Sequence, residues 1–357
     1  MMMPVDSLMK RATAEKVFPG AVLLVSKNDT ILFFEAYGTT NLSEPAATTC
    51  HTLFDLASLT KPLATTLAIM KLIHGEKLQL GDPLGSVLPS FKGTEKERIT
   101  IRHLLCHNSG LPDYRPYYLE LGKLSPEERQ DALRTSLVKE PLENPVGKVA
   151  LYSDLGFMVL RWVVETISGR SLDRIVTEDI YHPLGLSTLG FADPGAPHFQ
   201  NNVAATERCP WRNTLMQGQV HDENAWAVGG VEGHAGLFGT AADVNRLLWR
   251  LLAVYHGTSD PVLFDSALVQ HFFTQQADSD RALGFDTPSP PHASCGDHYS
   301  AHSIGHLGFT GTSFWVDLDR SVAIILLTNR VHPSRDNIRI RAFRPELHNT
   351  IMETIGF

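Results

Sequence analysis

Short apolar and β-branched runs lie at both ends of the chain, whereas helical spacing of apolar residues dominates its middle. Residues 21–27 and 30–37 form two such runs separated by a polar break, which predicts a β-hairpin over residues 20–38. Residues 312–317 and 321–328 repeat this arrangement and predict a second hairpin near the C-terminus. Both ends of the chain therefore supply strands.

Apolar residues recur at helical spacing elsewhere and predict a series of helices. These cover residues 5–17, 64–74, 101–106, 126–139, 155–168, 171–180, 243–255 and 334–355. One antiparallel sheet built from both termini, flanked by helices, is the simplest arrangement, so we expect an α+β fold. Residues 1–84 and 241–357 then form a discontinuous sheet domain around a mainly helical insertion domain of residues 85–240, with the active-site cleft between the two.

Composition limits the classes of function. The chain has 357 residues, 39 acidic against 31 basic, a net charge of −8 and 43% hydrophobic residues, which suits a globular protein and disfavours nucleic-acid binding. No secretory signal is visible and the apolar runs are too short to cross a bilayer, so we expect a cytoplasmic protein without membrane contact. The four cysteines are isolated along the sequence, which predicts free thiols and excludes a zinc ribbon.

Serine followed three residues later by lysine occurs at Ser7, Ser58 and Ser136, and no Gly-x-Ser-x-Gly motif is present. Ser7 and Ser136 fall within amphipathic helices, but Ser58 opens a buried helix. Residues i and i+3 share a helix face, so the Lys61 amine can reach the Ser58 hydroxyl. We expect burial to lower the pKa of Lys61 and make it a base for a serine nucleophile. The alternative is a capping serine beside a lysine that extends to solvent.

A second group able to move a proton is Tyr152, which begins the only Tyr-x-Asp or Tyr-x-Asn sequence in the chain. A lysine cation beside Tyr152 would stabilise its phenolate, which could then accept a proton from serine. Asp154 opens the helix that follows and can cap it. The alternative for this pair is a core tyrosine with a capping aspartate.

Glycines precede the C-terminal hairpin in the segment of residues 306–312. Gly308 allows a substrate to lie against the backbone, and an amide of this segment can pair with the Ser58 amide as an oxyanion hole. His234 begins a second His-x-Gly sequence, which ranks lower because it is expected to lead into a helix rather than a strand.

In the order Ser-x-x-Lys, Tyr-x-Asp and His-x-Gly, these motifs resemble those of the class C β-lactamase-related serine hydrolases. Residues 99–112, 145–157 and 305–333 are similar to the helix-and-loop signature, the tyrosine segment and the C-terminal strands of that superfamily. The resemblance extends from about Phe18 to Arg335 and implies a β-lactamase/transpeptidase-like fold. The superfamily includes β-lactamase-like carboxylesterases, penicillin-binding peptidases and D-aminopeptidases.

The resemblance also implies roles for six positions. They are the nucleophile Ser58, its partner base Lys61, the proton shuttle Tyr152, the substrate-facing His306 and Gly308, and Phe309, whose amide completes the oxyanion hole with that of Ser58.

Three positions depart from the family pattern. Asp154 replaces a frequent asparagine and its amide donor, and Leu307 replaces a hydroxyl residue. His306 replaces lysine, which weakens the cation available to a substrate carboxylate near neutral pH. We therefore expect a carboxylesterase rather than an efficient β-lactamase or D-Ala-D-Ala peptidase. The alternatives are a D-amino-acid peptidase or weak β-lactamase linked to cell-wall recycling, and a non-catalytic sensor of acyl compounds.

Residues 218–240 resemble a variant segment of the same superfamily and bring His221, Asp222, Asn224 and His234 close together in sequence. We expect these to be hydrogen-bonded loop residues that line the substrate cleft. A metal site is the alternative, although no His-Glu-x-x-His motif is present.

The expected mechanism needs no metal and no cofactor. His298, His302 and His306 recur every four residues, which makes a metal-binding face only on a helix, and this stretch looks extended. The expected partner is a small-molecule ester or amide, and the sequence indicates no particular oligomeric state.

Overall fold

Five antiparallel strands drawn from the two ends of the chain form the central sheet. The computed structural model describes residues 2–192, 202–258, 263–289, 291 and 293–357. In their order across the sheet, the strands are β2 (Thr30–Gly38), β1 (Gly20–Lys27), β10 (Val322–Thr328), β9 (Ser313–Asp317) and β8 (Ser303–Leu307). Because β1 pairs with β10, the N- and C-terminal segments are hydrogen-bonded neighbours. Both predicted hairpins are confirmed.

The α-helices of the described residues lie mostly between the two groups of strands. They are α1 (Met3–Ala14), α2 (Leu67–His74), α3 (Leu84–Val87), α4 (Ile101–Leu105), α5 (Tyr118–Leu121), α6 (Pro126–Lys139), α7 (Asp154–Ser168), α8 (Leu172–Val176), α9 (Glu223–Ala227), α10 (Ala241–Tyr255), α11 (Ser266–Phe273) and α12 (Ile340–Thr354). Shorter 3₁₀ or π turns cover Ala57–Leu59, Lys61–Thr66, Pro89–Phe91, Thr177–Tyr181 and His182–Leu184.

Helix boundaries predicted near the two ends of the chain were wrong. The first helix ends at Ala14 because the chain turns at Lys16, whose φ of 60° lies in the left-handed region. The last helix begins at Ile340 rather than at residue 334. The Arg330 guanidinium accounts for this difference, because its Nη1 donates to the carbonyls of Arg335 and Asn337 at 2.9 and 2.8 Å. These carbonyls bind a side chain in place of helical amides.

Both faces of the central sheet are covered, which explains why β1 is apolar at nearly every position. Val22 and Leu24 face the larger core, to which the helices of the middle of the chain contribute. Leu23 and Val25 face a second core formed with α1 and α12. The division of the chain into domains at residues 84 and 240 stays a prediction.

A small second sheet lies beside the start of the buried helix and was not predicted. Its strands are β3 (Phe54–Asp55), β7 (Leu237–Gly239) and β4 (Gly190–Phe191), with β7 in the centre. A separate two-stranded sheet joins β5 (Arg208–Cys209) to β6 (Thr214–Leu215). The expectation that His234 leads directly into a helix was wrong, because β7 comes before α10. The pairing of β7 with β3 brings the His234 loop next to Ser58.

The second core contains a buried histidine that should make stability depend on pH. His348 of α12 is fully buried, and its Nδ1 lies 3.1 Å from the Tyr299 hydroxyl. Among the described residues its Nε2 has no hydrogen-bond partner. Burial, and secondly the positive charge of Arg344, lower the pKa of His348 to about 3.

We expect acid to destabilise the fold through His348. An unfolded histidine takes up a proton below about pH 6.5, whereas the buried ring stays neutral, so the free energy of unfolding falls as pH drops. The loss through this group is about 3 kcal/mol at pH 4.5. His348→Gln should flatten the decline, as measured by urea unfolding between pH 7 and 4.5. The exposed His302→Gln is the control, and an unchanged slope in His348→Gln would contradict the prediction.

Candidate active site

Ser58 lies in a tight turn that directly follows β3. Ala57 has a φ of 48°, a left-handed conformation that is unfavourable for a residue with a side chain. The Asp55 carboxylate holds this turn, because its Oδ1 accepts the Ala57 amide at 2.8 Å. The turn continues into the π turn Lys61–Thr66 and then into α2. The chain is therefore constrained at the residue that precedes the predicted nucleophile.

The Lys61 amine reaches Ser58, as the i, i+3 spacing predicted. Its Nζ donates to Ser58 Oγ at 3.2 Å, to Asp154 Oδ1 at 2.7 Å and to the His234 carbonyl at 3.4 Å. The Lys61 side chain is fully buried, which rules out the alternative of a lysine that extends to solvent.

The expected lowering of the pKa of Lys61 was wrong. Burial does lower it, but the negative charge of Asp154 and the interaction with Tyr152 outweigh burial, so the pKa of Lys61 lies above its usual value. The Lys61–Asp154 contact is thus an ion pair between a fully buried amine and a partly exposed carboxylate, and the resting lysine is an ammonium.

Tyr152 lies against the same amine. Lys61 Nζ is 4.6 Å from the centre of the Tyr152 ring, and the Tyr152 hydroxyl interacts with both Ser58 and Lys61. Burial raises the pKa of Tyr152 more than the Lys61 cation lowers it, so the resting group is a phenol rather than the phenolate expected. The helix cap also differs, because Ser153, not Asp154, accepts the Gly156 amide. Asp154 is free to serve as the partner of Lys61.

His107 supports Tyr152 and was not among the predicted site residues. Its ring centre lies 4.7 Å from that of Tyr152, and its Nδ1 accepts the Ser153 amide at 3.0 Å. Burial, followed by the charges of Arg281 and Lys61, holds the pKa of His107 well below its usual value. The neutral ring therefore positions Tyr152 by packing. Only its place within residues 99–112 pointed to it.

The segment that carries Phe309 is tied to the backbone just before Ser58. Thr310 Oγ1 donates to the Asp55 carbonyl at 2.7 Å, and Thr312 Oγ1 donates to the Leu56 carbonyl at 3.0 Å. A Cβ atom at Gly308 would lie 2.0 Å from Thr312 Oγ1, so only glycine fits there. These contacts hold the Phe309 backbone beside Ser58, where the oxyanion hole is predicted.

His306 lies on β8 and faces Tyr152, with 6.0 Å between the ring centres. Burial and then the charges of Lys61 and Arg281 hold the pKa of His306 well below its usual value, so the ring is neutral at pH 7. Its Nδ1 lies 2.9 Å from the Leu307 carbonyl. Because a carbonyl can only accept, Nδ1 carries the proton and Nε2 has none to offer a carboxylate. The weak cation expected at this position is in effect absent.

The residues of the 218–240 segment are hydrogen-bonded as predicted, but they divide between different surroundings. His234 Nε2 lies 2.9 Å from Asp222 Oδ1, beside Lys61. His221 bonds Glu207 and stacks on the Phe309 ring at 5.6 Å, near the oxyanion segment. Their roles in substrate binding stay predictions.

Asn224 instead binds the backbone of the loop before α5. Its side chain accepts the Tyr118 amide at 2.9 Å and donates to the Arg115 carbonyl at 2.8 Å. These contacts fix the loop, and neither of them involves Ser58.

One group of side chains in the described residues could hold a metal ion. Ligand atoms of Asp154, Asp222 and His234 lie within 4.8 Å of one another. Lys61 already pairs with Asp154, and His234 with Asp222, so both carboxylates have partners within the protein. Of the three histidines that recur every four residues, His298 contacts Glu353 and His302 contacts Asp319, whereas His306 faces Tyr152.

The arrangement around Ser58 has counterparts in known proteins. A sequence profile described as Beta-lactamase matches residues 5–347. The chain belongs to the Beta-lactamase family. This match confirms the resemblance inferred from the motifs. It also confirms the β-lactamase/transpeptidase-like fold that the resemblance implied.

Its relatives include hydrolases of several kinds. An N-acetylmuramyl-L-alanine amidase of Bacillus subtilis (strain 168) is 34% identical over 360 residues, which cover 92% of this chain and 80% of the relative. A protein of Salmonella agona (strain SL483), provisionally named D-alanyl-D-alanine carboxypeptidase, is 32% identical over 354 residues, 90% of this chain and 81% of that protein. The solved structure of EstCE1, a hydrolase with promiscuous acyltransferase activity, has a TM-score of 0.74 at 22% identity and covers 96% of this chain and 97% of its own.

This protein is thus a hydrolase with the β-lactamase fold. In the described part of the chain, no helix combines the length and apolar character that crossing a membrane requires.

Proposed function

We propose that this protein hydrolyses a small-molecule ester or amide through an acyl-enzyme on Ser58. The position of Lys61 carries the proposal, since its amine lies 3.2 Å from Ser58 Oγ and 2.7 Å from Asp154 Oδ1 and is closed off from solvent. Burying a lysine is costly unless its charge is paired, and here the pair faces a serine hydroxyl. This is the geometry of a nucleophile with an adjacent group that can take its proton.

The proton of Ser58 enters the group formed by Lys61, Tyr152 and Asp154. The resting Lys61 is an ammonium, so it must release a proton before it can accept one. Asp154 Oδ1, which accepts from the amine at 2.7 Å, stabilises the ammonium, so the fraction of neutral amine rises with pH. The neutral amine then takes the Ser58 proton, directly or through the Tyr152 hydroxyl. Tyr152 returns a proton to the leaving group.

The oxyanion formed by this attack rests on the Ser58 and Phe309 amides. One such donor contributes about 3 to 4 kcal/mol to transition-state stabilisation in a site closed to water. Loss of the leaving group gives an acyl-enzyme, and water activated by the same residues releases the acid.

The names of the relatives support an amide as the bond that is cleaved. Both names denote hydrolysis of an amide bond to alanine. We infer that this chain cleaves an amide between an acyl group and an amino acid. A carboxylesterase is the second candidate, because the neutral His306, followed by Leu307, offers no fixed charge to a carboxylate.

A substrate panel tests the proposal and separates its branches. Purified protein is incubated with N-acetylmuramyl-L-alanine, N-acetyl-D-alanyl-D-alanine, p-nitrophenyl acetate and a chromogenic cephalosporin, and kcat/KM is measured for each. We expect turnover of an amide and of the activated ester, with the cephalosporin slowest. Cleavage of the ester alone would establish the carboxylesterase instead, and failure to cleave any compound would contradict the assignment as a hydrolase acting through Ser58.

A further inference from the structure

A cavity of about 520 Å³ lies where the end of α1, the open end of the β1–β2 hairpin and the loop before α12 meet. Its wall is formed by residues within 13–19, 38–42 and 332–337. No residue of this wall belongs to the group around Ser58, Lys61 and Tyr152. The cavity is therefore separate from the candidate active site, and its volume is in the usual range for a small-molecule site.

The polar side chains of the cavity wall are largely occupied within the protein. Asn337 Nδ2 donates to the Lys16 and Val17 carbonyls at 3.1 Å. His332 accepts a backbone amide at Nε2 and contacts a backbone carbonyl through Nδ1, at 2.9 and 2.7 Å, so both ring nitrogens have partners. Thr39 Oγ1 donates to a backbone carbonyl at 2.8 Å. The rest of the wall is mostly apolar and includes Ala14, Phe18, Pro19, Leu42 and Pro333.

Basic side chains without a carboxylate partner border this apolar surface. Lys16 lines the cavity and is exposed, and no carboxylate of the described residues lies within 4.0 Å of its amine. Arg339 is anchored next to it, because Arg339 Nη1 donates to the Glu15 carbonyl. The acid of the 332–337 segment is Asp336, which accepts the Ser334 hydroxyl at 2.9 Å. An anionic group at the Lys16 edge of the cavity would therefore meet an unpaired cation.

We propose that this cavity binds a single-chain fatty carboxylate, with its alkyl chain against the apolar wall and its carboxylate at Lys16. Each CH₂ group that leaves water for the wall favours binding. A ligand with polar groups along its length is disfavoured, because the wall offers few free partners to replace water. The cation at the edge favours an anionic head group over a neutral one. The inference does not depend on the proposed function, since the cavity wall takes no part in hydrolysis at Ser58.

Calorimetric titration of the protein with octanoate, decanoate and 1-decanol tests the proposal. We expect one molecule of decanoate to bind per chain. Burial of one CH₂ group tightens binding by up to about 4-fold, so decanoate should bind up to about 15-fold more tightly than octanoate. Lys16→Gln should weaken the binding of decanoate by about 3- to 10-fold, because a partly exposed ion pair is lost, and should leave that of 1-decanol nearly unchanged.

Substitutions of the wall locate the bound ligand. Ala14→Trp places a large side chain at an exposed position of the wall and should abolish the binding of decanoate. Ala342→Trp is the matched control, because Ala342 is also exposed but lines the neighbouring groove between α1 and α12. Leu42→Asp is a second variant that leaves the core unchanged, since Leu42 is 49% exposed. Its negative charge should repel the carboxylate of decanoate.

Several results would overturn the proposal. Wild-type protein that does not bind decanoate would reject it outright. Binding that survives both Ala14→Trp and Leu42→Asp would place the ligand elsewhere, for example in the cleft at Ser58, and loss in Ala342→Trp alone would place it in the neighbouring groove. An affinity for decanoate that Lys16→Gln leaves unchanged, or lowers equally with that for 1-decanol, would reject the carboxylate. Thermal unfolding of each variant identifies misfolding, and if Ala14→Trp misfolds, Lys16→Gln and Leu42→Asp decide.

Discussion

Ser58→Ala should abolish hydrolysis of p-nitrophenyl acetate, with kcat falling by about 10⁴-fold or more to the background rate. The other two serines of the Ser-x-x-Lys pattern are the matched controls. Ser7 is exposed on α1, where the Lys10 side chain is 68% exposed, and Ser136 bonds the Ala132 carbonyl within α6. Neither has a buried amine beside it, so Ser7→Ala and Ser136→Ala should retain full activity. Initial rates with wild-type and variant proteins at equal concentration provide the comparison.

Covalent labelling gives a second reading of the same prediction. A fluorophosphonate reacts with a serine that has an adjacent base and an oxyanion hole, so peptide mass spectrometry should find one adduct, on Ser58. The adduct should be lost in Ser58→Ala. Activity that survives in Ser58→Ala, or an adduct on Ser7 or Ser136, would refute the assignment of the nucleophile.

The nucleophile and its amine could be predicted because their relation is local. Ser58 and Lys61 are three residues apart at the start of a helical segment, so backbone geometry alone brings them to 3.2 Å. The direction in which the fold shifts the pKa of Lys61 could not be predicted in this way. It depends on Asp154, which is 93 residues further along the chain and contacts the amine only after folding.

Arg281 and His107 illustrate the same limit. Neither belongs to a motif with defined spacing, and each reaches Tyr152 through a loop whose path is set by tertiary hydrogen bonds. An arginine that directly follows an aspartate in a polar stretch is typical of a solvated surface. Only the backbone pairing of Asp286 with Gly305 at the sheet edge brings the Arg281 side chain into the site.

The elements of the fold divide along similar lines. The long strands β1 and β10 have enough apolar residues to be recognised, and their pairing follows from the need to bury both faces. The strands β3, β4 and β7 have two or three residues each, too few to show any periodicity. The small sheet therefore emerged only from the structure, although it places Ser58 next to the His234 loop.

Asp154→Asn should shift the pH dependence of catalysis to lower pH. In the wild-type protein the pKa of Lys61 is held up by the Asp154 charge against the lowering effect of burial. Removing that charge lets burial prevail, and an opposite charge this close is worth about 1 to 3 pKa units. Since the amine must lose a proton to activate Ser58, the rising limb of kcat/KM against pH should move down by a similar amount, as measured with p-nitrophenyl acetate.

The same substitution should also reverse the sign of a stability effect. In the wild-type protein the raised pKa of Lys61 contributes stability that is present below the unfolded value of about 10.4 and is lost as pH rises through the folded value. In Asp154→Asn the folded amine binds its proton more weakly than the unfolded one, so stability should instead increase with pH up to that unfolded value. Urea unfolding from pH 7 to 10 tests this, because in that range Lys61 should contribute no slope in the wild-type protein and a rising one in Asp154→Asn, with the exposed Asp131→Asn as the control. A variant whose rate limb stays in place or moves to higher pH, and whose stability follows the wild-type slope, would show that Asp154 does not set the charge of Lys61.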